Sequence, residues 1–540
     1  MPSFLPALPV CREKPNPFIN FLIRSLFLYA CFLIPTGYCL LNFGVNDALL
    51  SLKAVNVWQA EFWHFIGLSA FQSRIVLDSI QAAGIGLLGY LFFNYTRTEG
   101  FKSLSESKVF WATVLFSFLL VAVIPFHSSD LYGYLNRGFQ QSVFRVNPYV
   151  TTVSQIPGWQ NTQNAVLLHP HWVDNPCPYG VFFAFFVKHV TVLGAKQFLP
   201  SFLILKTCSA IALIASTWLV GKTATLLQWA NPWQAAFWLG CNPLVLTHAV
   251  ANGHNDILMM ALLLLALFIL AATGAHVKKQ VKPKGFYKIS ILISVLILLL
   301  LVLPLFTLSA LTKYATAIAL PVVLVLLFRK KQYHILFWGG LLSVLLAAAL
   351  FWPYLYQQQW QWADIISNAG KPQHSLVAMA AQALYYPVKW LGGPAEAIYN
   401  TSLAVLKPIS LTLFAGLVVV QVFQFSRNSQ TKAKHPGHWP LVQEAIEKIA
   451  ILLTGLLLCS AKFHPWYIVM ILPVVLLLSP QSRLRQFWCL VSVTQLAAFT
   501  VFQNLPVFSQ LVLFGLPVYL VLKKSPLKDN AHLTTPECNN

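Results

Sequence analysis

Residues 125–138 read Pro125-Phe-His-Ser-Ser-Asp130-Leu-Tyr-Gly-Tyr134-Leu-Asn-Arg137-Gly138, and their surroundings decide the fold. Just upstream, residues 109–126 form an apolar run long enough to cross a bilayer, and just downstream a polar loop continues to residue 176. An ionised carboxylate at the mouth of a membrane helix is costly to place and easy to use. Asp130 is therefore the first candidate for a catalytic base.

The rest of the chain is of the same kind. With 540 residues, 57% of them hydrophobic and 9% charged, and a mean hydropathy of +0.66, it cannot cover itself with a soluble surface. Apolar runs recur near 21–43, 75–95, 109–126, 200–221, 232–250, 256–274, 289–308, 310–328, 334–352, 403–425, 446–462, 466–480, 486–503 and 506–522. They predict an all-α, polytopic transmembrane protein of about fourteen spans. Neither long polar segment is large enough for its own core, so residues 1–540 read as a single integral membrane domain. The two segments, 127–176 and the Trp-, Tyr- and Gln-rich 353–402, are outer loops with interfacial helices, and 426–445 is a cytoplasmic connector.

Lys and Arg number 36 against 15 Asp and Glu. The basic residues gather in short loops and form no stripe with interleaved aromatics, which argues against nucleic acid and for topology. Arg12/Lys14, Arg97/Lys102/Lys108, Lys278 to Lys288, Arg329-Lys330-Lys331, Lys432/Lys434, Arg483/Arg485 and Lys523-Lys524 then face the cytoplasm, as do both termini. One conflict remains. Residues 177–195 are also apolar but carry Lys188 and His189, so either they form an incompletely inserted helix or Pro243 breaks 232–250 into a half-span. The nine cysteines show no CxxC pair and no zinc spacing, and read as small hydrophobes.

From Asp130 onward the pattern predicts an amphipathic interfacial helix. Seven residues is close to two turns, so Asp130, Tyr134 and Arg137 share a face. A carboxylate beside a hydroxyl and a guanidinium can take a proton from a sugar hydroxyl while the cation holds a phosphate. The same pattern also suits a plain ion-pair helix that anchors the loop. Two stretches further along the loop favour the chemical reading: Arg145-Val-Asn147-Pro148-Tyr149, then Asn175-Pro-Cys-Pro-Tyr179-Gly180.

Asp-x-x-x-Tyr, then Gly138, Asn-Pro-Tyr and a later Tyr-Gly, resembles the first external loop of polyprenyl-phosphomannose-dependent mannosyltransferases of the GT-C glycosyltransferase superfamily. Asn242-Pro243-Leu244 leading to Gly253-His254-Asn255-Asp256, Lys313-Tyr-Ala-Thr-Ala-Ile-Ala-Leu-Pro321, and Phe463-His464-Pro465-Trp466-Tyr467 agree in order. The resemblance spans residues 110–480, and its specificity lies in the ordered set. The family's Tyr-Gly-Pro is here Tyr179-Gly180-Val181. The resemblance implies a GT-C membrane enzyme whose base is the acidic residue of the first external loop, which maps onto Asp130.

His254, Asn255 and Asp256 can hydrogen-bond a sugar or orient a lipid phosphate, and Asn and Asp before Ile257 also suit a helix start. Lys313, early in an apolar run, can meet a donor phosphate or snorkel. His464 opens a run on the outer side, where Trp466 and Tyr467 also suit interface anchoring. One His and one Asp are too few ligands for a metal, no Asp-x-Asp accompanies Asp130, and nothing calls for a cofactor.

These readings converge on a multi-pass enzyme of a bacterial-type cell membrane. It would move a hexose, by resemblance mannose, from a polyprenyl-phosphate donor to a glycan or glycolipid acceptor at the bilayer's non-cytoplasmic face. Asp130 would be the base, the anomeric centre would invert, and Tyr134, Arg137, Arg145, Tyr179, His254, Asn255, Asp256, Lys313 and His464 would contact substrate. A transporter or flippase of lipid-linked sugars is the alternative, although transporters keep their sites at the midplane between repeats and here the polar residues gather at one face.

Overall fold

A computed structural model describes residues 16–33, 70–125, 128–161, 173–278, 296–355, 375–427, 440–501 and 511–523. Side chains of 70–82, 274–278 and 496–501 are outside that description. So are both chain ends with Arg12, Lys14 and Lys524, the second half of the 21–43 run, most of the Lys278 to Lys288 run, Tyr356, Trp360 and Trp362 of the second outer loop, and Lys432 and Lys434. Among the described residues every regular element is helical.

The helices, in chain order, are α1 (Pro17–Cys31), α2 (Ala70–Tyr95), α3 (Glu106–Val121), α4 (Asp130–Ser142), α5 (Val181–Leu193), α6 (Phe198–Leu226), α7 (Pro232–Gly240), α8 (Asp256–Lys278), α9 (Val302–Thr312), α10 (Leu320–Arg329), α11 (Tyr333–Leu355), α12 (Leu376–Trp390), α13 (Ala395–Arg427), α14 (Pro440–Cys459), α15 (Ile468–Val475), α16 (Arg483–Val501) and α17 (Leu516–Lys523). Among the described residues four helices are long and apolar enough to cross a membrane: Phe198–Leu226, Asp256–Thr273, Tyr333–Leu355 and Ala395–Arg427. This is a membrane protein. Most other expected runs appear as shorter apolar helices, several of them interrupted by polar breaks.

The centre of the fold is α6 with α8, against which α3, α7, α9 and α15 pack. Lipid tails are as apolar as leucine, so helices in a bilayer gain little from hiding apolar surface and associate through close packing of small residues. Helix α6 follows this rule. Ser209, Ser216, Thr217 and Thr223 are buried along it, and Ser209 and Thr217 return their hydroxyls to the carbonyls one turn back, Leu205 at 3.1 Å and Leu213 at 2.8 Å.

Three breaks place the polar residues. The 232–250 run stops at Gly240. Asn242 caps the next turn through Leu244 N (3.0 Å) and holds Ser492 Oγ (2.9 Å), and residues Leu246–Ala251 then form a π-helical turn. The 310–328 run is cut at Lys313, whose extended backbone (φ −153°) separates α9 from the 3-10 segment Tyr314–Ala319. The third break is α5, only 13 residues long and so about 20 Å, short of the ~30 Å hydrocarbon core. Neither of the two segments between which the charge rule could not choose is thus a single unbroken helix long enough to cross a bilayer.

Helix α4 differs from its expected place on a surface. Every residue from Leu131 to Ser142 is buried, with Leu131, Tyr134, Leu135 and Phe139 in one core with Phe183, Val187, Phe198 and Phe202 of α5 and α6. The polar face of this helix meets protein rather than water. The 353–402 segment is helical as expected of it, since α12 and the first turns of α13 lie within it.

Candidate active site

The cluster forms where the N-terminus of α4 meets the turn before α8. Gly253 takes φ +65°, and a Cβ there would collide with the Leu131 side chain, so the chain reverses tightly against the start of α4. His254 N then bonds His248 O at 3.1 Å, and Asp256 opens α8, its carboxylate at the positive end of the helix dipole. His254, Asn255 and Asp256 are fully buried.

Asp130, whose N–H donates to Ser128 Oγ at 3.2 Å, sets its Oδ2 3.4 Å from His254 Nδ1 and keeps 18% of its side chain exposed. Tyr134, one turn on, donates from its hydroxyl to Asn255 Oδ1 at 3.3 Å and lies 3.5 Å from His254 Nδ1. Lys313 reaches Asp256 Oδ1 at 2.6 Å and is 21% exposed, while Asp256 is wholly buried. Its ammonium also sits 4.6 Å from the Tyr467 ring centroid. Trp466 lies between two imidazoles, 4.2 Å from His254 at 16° and 4.2 Å from His464 at 6°. Asp130, His254, Asp256, Lys313 and His464, far apart in sequence, thus share one site.

Two features give this site chemical capacity. Burial by itself would raise the Asp130 carboxyl, but the His254 hydrogen bond and the positive charges of His254, His464 and Lys313 outweigh it and hold the group below its ordinary value of 3.8. It is a carboxylate over the whole neutral range. The second feature is unused valence: His254 Nε2, Asn255 Nδ2 and Asp256 Oδ2 are buried without a hydrogen-bond partner among the described residues. Buried polar atoms are nearly always paired, and three orphans side by side call for a polar ligand or water.

Other expected site residues do structural work. Arg137 is buried and donates to Gln140 Oε1 at 2.9 Å and to the Asn175 carbonyl, which fastens the loop to α4. Arg145 is exposed, at φ +57°, and among the described residues no hydrogen bond or ion pair ties it to the cluster. Asn147-Pro148-Tyr149 is a brace: Asn147 Nδ2 bonds Tyr354 O (2.9 Å), Pro148 O accepts from Cys177 N (2.8 Å), and Tyr149 OH bonds Tyr179 O (2.8 Å). Tyr179 stands edge-on to Tyr134 at 4.9 Å and so borders the cluster. A Cβ on Gly180 would collide with the Leu311 carbonyl, while Gly180 N bonds Thr312 O at 3.2 Å. Glycine here lets the loop lie against the backbone just before Lys313, and this contact survives the replacement of proline by Val181.

The sequence left Trp466 balanced between the site and interface anchoring and did not single out His248 or Lys206. His248 lies 5.7 Å from His254 and 5.9 Å from Trp466, within the π turn. Lys206 is wholly buried in α6 and donates to Leu120 O (2.9 Å) and Val123 O, carbonyls at and just past the end of α3. A lysine in an apolar run was the available signal for it.

The family model described as alpha-(1->6)-mannopyranosyltransferase, N-terminal domain, matches residues 37–329, more than half of the chain. The chain belongs to this family. The matched region contains Asp130, the His254 to Asp256 turn and Lys313, and ends before His464. An alpha-(1->6)-mannopyranosyltransferase A of Mycobacterium tuberculosis is 28% identical over 199 residues, 36% of either chain. The protein of that name from Corynebacterium glutamicum is 23% identical over 210 residues, 38% of this chain and 37% of its own. A second alpha-(1->6)-mannopyranosyltransferase of M. tuberculosis is 32% identical over 151 residues, 27% of this chain and 24% of its own. The similarity thus spans between about a quarter and little more than a third of the relatives' length. No solved structure matches the chain.

Proposed function

We propose that this protein is a mannosyltransferase. It takes mannose from a polyprenyl-phosphate donor and adds it, in an α-(1->6) linkage and with inversion of the anomeric centre, to a glycan or glycolipid on the non-cytoplasmic side. One observation carries this reading: a partly exposed, ionised Asp130 lies beside three buried polar atoms with free valence and a partly exposed lysine. A sugar ring can meet the orphan atoms with its hydroxyls and leave its phosphate near Lys313.

In the proposed reaction an acceptor hydroxyl attacks C1 of the mannose in line. The O–C1 bond forms as the C1–O bond to phosphate breaks, and the polyprenyl phosphate leaves with the electron pair. Asp130 takes the hydroxyl proton and later returns it to water. Lys313 and His464 offset the charge growing on the phosphate, the role of fixed cations in such transition states. Arg137 and Arg145, one buried in the loop brace and one exposed, are less suited to it.

Contacts between helices support this side of the membrane. Arg329 bonds the Phe425 carbonyl at 2.6 Å, so the end of α13 lies with the basic Arg329 to Lys331 loop. Ser375 Oγ bonds Ala461 O at 2.6 Å and Ser410 Oγ bonds Cys459 O at 2.7 Å, tying α12 and α13 to the segment that leads into His464. Single cysteines at 130, 377 and 464 should react with a membrane-impermeant maleimide in intact cells, and protection of position 130 alone would overturn the assigned face. The donor is tested with purified protein and a manno-oligosaccharide. Transfer is expected from radiolabelled polyprenyl-phosphomannose, and robust transfer from GDP-mannose without polyprenyl phosphate would refute the donor.

A further inference from the structure

The hairpin of α12 and α13 carries a second polar site. Helix α13 has 33 residues and is about 50 Å long, whereas a hydrocarbon core needs only ~30 Å. Its charges mark the difference. Between Lys407 and Arg427 the helix exposes Ile409, Leu411, Leu413, Val419, Val420 and Phe423, a stretch of roughly 28 Å that fills the bilayer. Residues 395–406 therefore stand clear of the membrane, roughly 18 Å high. They stand on the same side as His464, because Ser410 and Ser375 meet Cys459 and Ala461 at the level where the apolar stretch begins.

On this protruding part lies a shallow, open cleft of about 140 Å³ lined by Gln382, Tyr385, Tyr386, Glu396 and Tyr399. Val377, Ala381 and Leu403 pack beneath it and hold the two helices together. The rings stand as walls: Tyr385 meets Tyr386 at 82° and Tyr399 at 72°. Tyr385 OH is fixed on Glu396 Oε1 at 3.2 Å, and Lys389 lies 5.4 Å over its ring. An aromatic membrane anchor presents its rings to the headgroup layer and has no use for a buttressing carboxylate.

We propose that this cleft is a subsite for the acceptor glycan, binding a pyranose some way from the point of transfer. Aromatic walls receive the C–H face of a sugar ring, while the Gln382 amide and the Glu396 carboxylate take neighbouring hydroxyls. Few groups of fixed orientation in an aromatic-lined cleft are what recognition of a neutral, hydroxyl-rich ligand requires. The cleft carries one acid and one base and is no phosphate site. Tyr385 lies ten residues along from Ser375, about 15 Å of helix, so an acceptor several sugars long suits the cleft better than a single sugar.

This inference rests on the proposed mannosyltransferase reading, and the test separates the two. Full-length protein in nanodiscs would be titrated with soluble α-(1->6)-linked mannohexaose and with methyl mannoside, binding being followed by saturation-transfer NMR without donor. Transfer to each acceptor would then be measured. Tyr386→Ala, and separately Glu396→Gln, should weaken mannohexaose binding about tenfold and raise its KM to match. They should leave kcat, the donor KM and transfer to methyl mannoside unchanged. Equal mannohexaose binding by wild type and both variants would overturn the subsite, whatever the activity. Variant-sensitive binding with no transfer by the wild type would keep the subsite and sink the enzymatic reading.

Discussion

The segment that follows α3 and the turn before α8 contain two polar clusters that are neighbours in space and opposites in chemistry. Around Arg137, Asn147 and Tyr149 the side chains are engaged: the guanidinium holds Gln140 and the Asn175 carbonyl, the amide holds Tyr354, and the phenol holds Tyr179. Around Asp130 and His254 the groups are equally deep, yet three buried atoms lack partners among the described residues and two charged groups keep a window to solvent. Burial and polarity are common to both clusters. Leftover valence separates a site from a brace, because an unmet buried donor or acceptor is a standing cost that only a ligand or water removes.

The sharpest way to break this contrast is Asp130→Asn. The amide keeps the shape and loses the basicity, so transfer should fall by about a hundredfold to ten-thousandfold with the melting midpoint unchanged. A variant with more than half of wild-type turnover would rule Asp130 out as the base.

Lys313→Ala should lower kcat/KM by about a hundredfold, with the effect on donor rather than acceptor. It should also destabilise by about 3 kcal/mol, because buried Asp256 is left without its cation. The pair Lys313→Met with Asp256→Leu separates the two effects: thermal stability should return and activity should not. Recovery of both would make the ion pair part of the scaffold.

Arg137→Met should do the reverse, costing about 3 kcal/mol through lost charge-assisted hydrogen bonds. The folded fraction should keep its donor KM, as read by activity normalised to native protein in a thermal-shift series. A large rise in donor KM at unchanged stability would return Arg137 to the phosphate.

The smallest expected effect is a shift in pH profile. Asp130 works as a base only when ionised, and its depressed value keeps the acid limb of kcat/KM below the ordinary carboxylate range. In His254→Gln the main opposing influence is gone and burial raises the carboxyl, so the acid limb should move to higher pH. An unmoved limb would show that His254 does not set the charge state of Asp130.

Much of this site was legible in the chain. Asp130, His254 to Asp256, Lys313 and His464 stood out because charge is rare in apolar sequence and must be satisfied or used. Arg137 is the instructive case. Its spacing from Asp130 is helical, as expected, but spacing fixes only a shared face, and the packing of α4 beneath the 173–175 segment decides which partner that face meets. Asn147, Tyr149 and Gly180 belong to the same motif and are ordered by contacts to Tyr354, Tyr179 and Leu311 that no local pattern announces.

The sequence by itself determined that the protein is helical, that it belongs in a membrane, and where its polar residues break the apolar runs. These properties come from composition and from the length an apolar helix needs. Only the tertiary structure decided that α4 is buried rather than interfacial, that Trp466 is stacked between His254 and His464, and that Lys313 sits on Asp256 while Lys206 caps α3. The reason is physical. A residue's hydropathy fixes the cost of leaving it alone, whereas the partner that relieves the cost comes from elements tens to hundreds of residues away, and only packing brings them together.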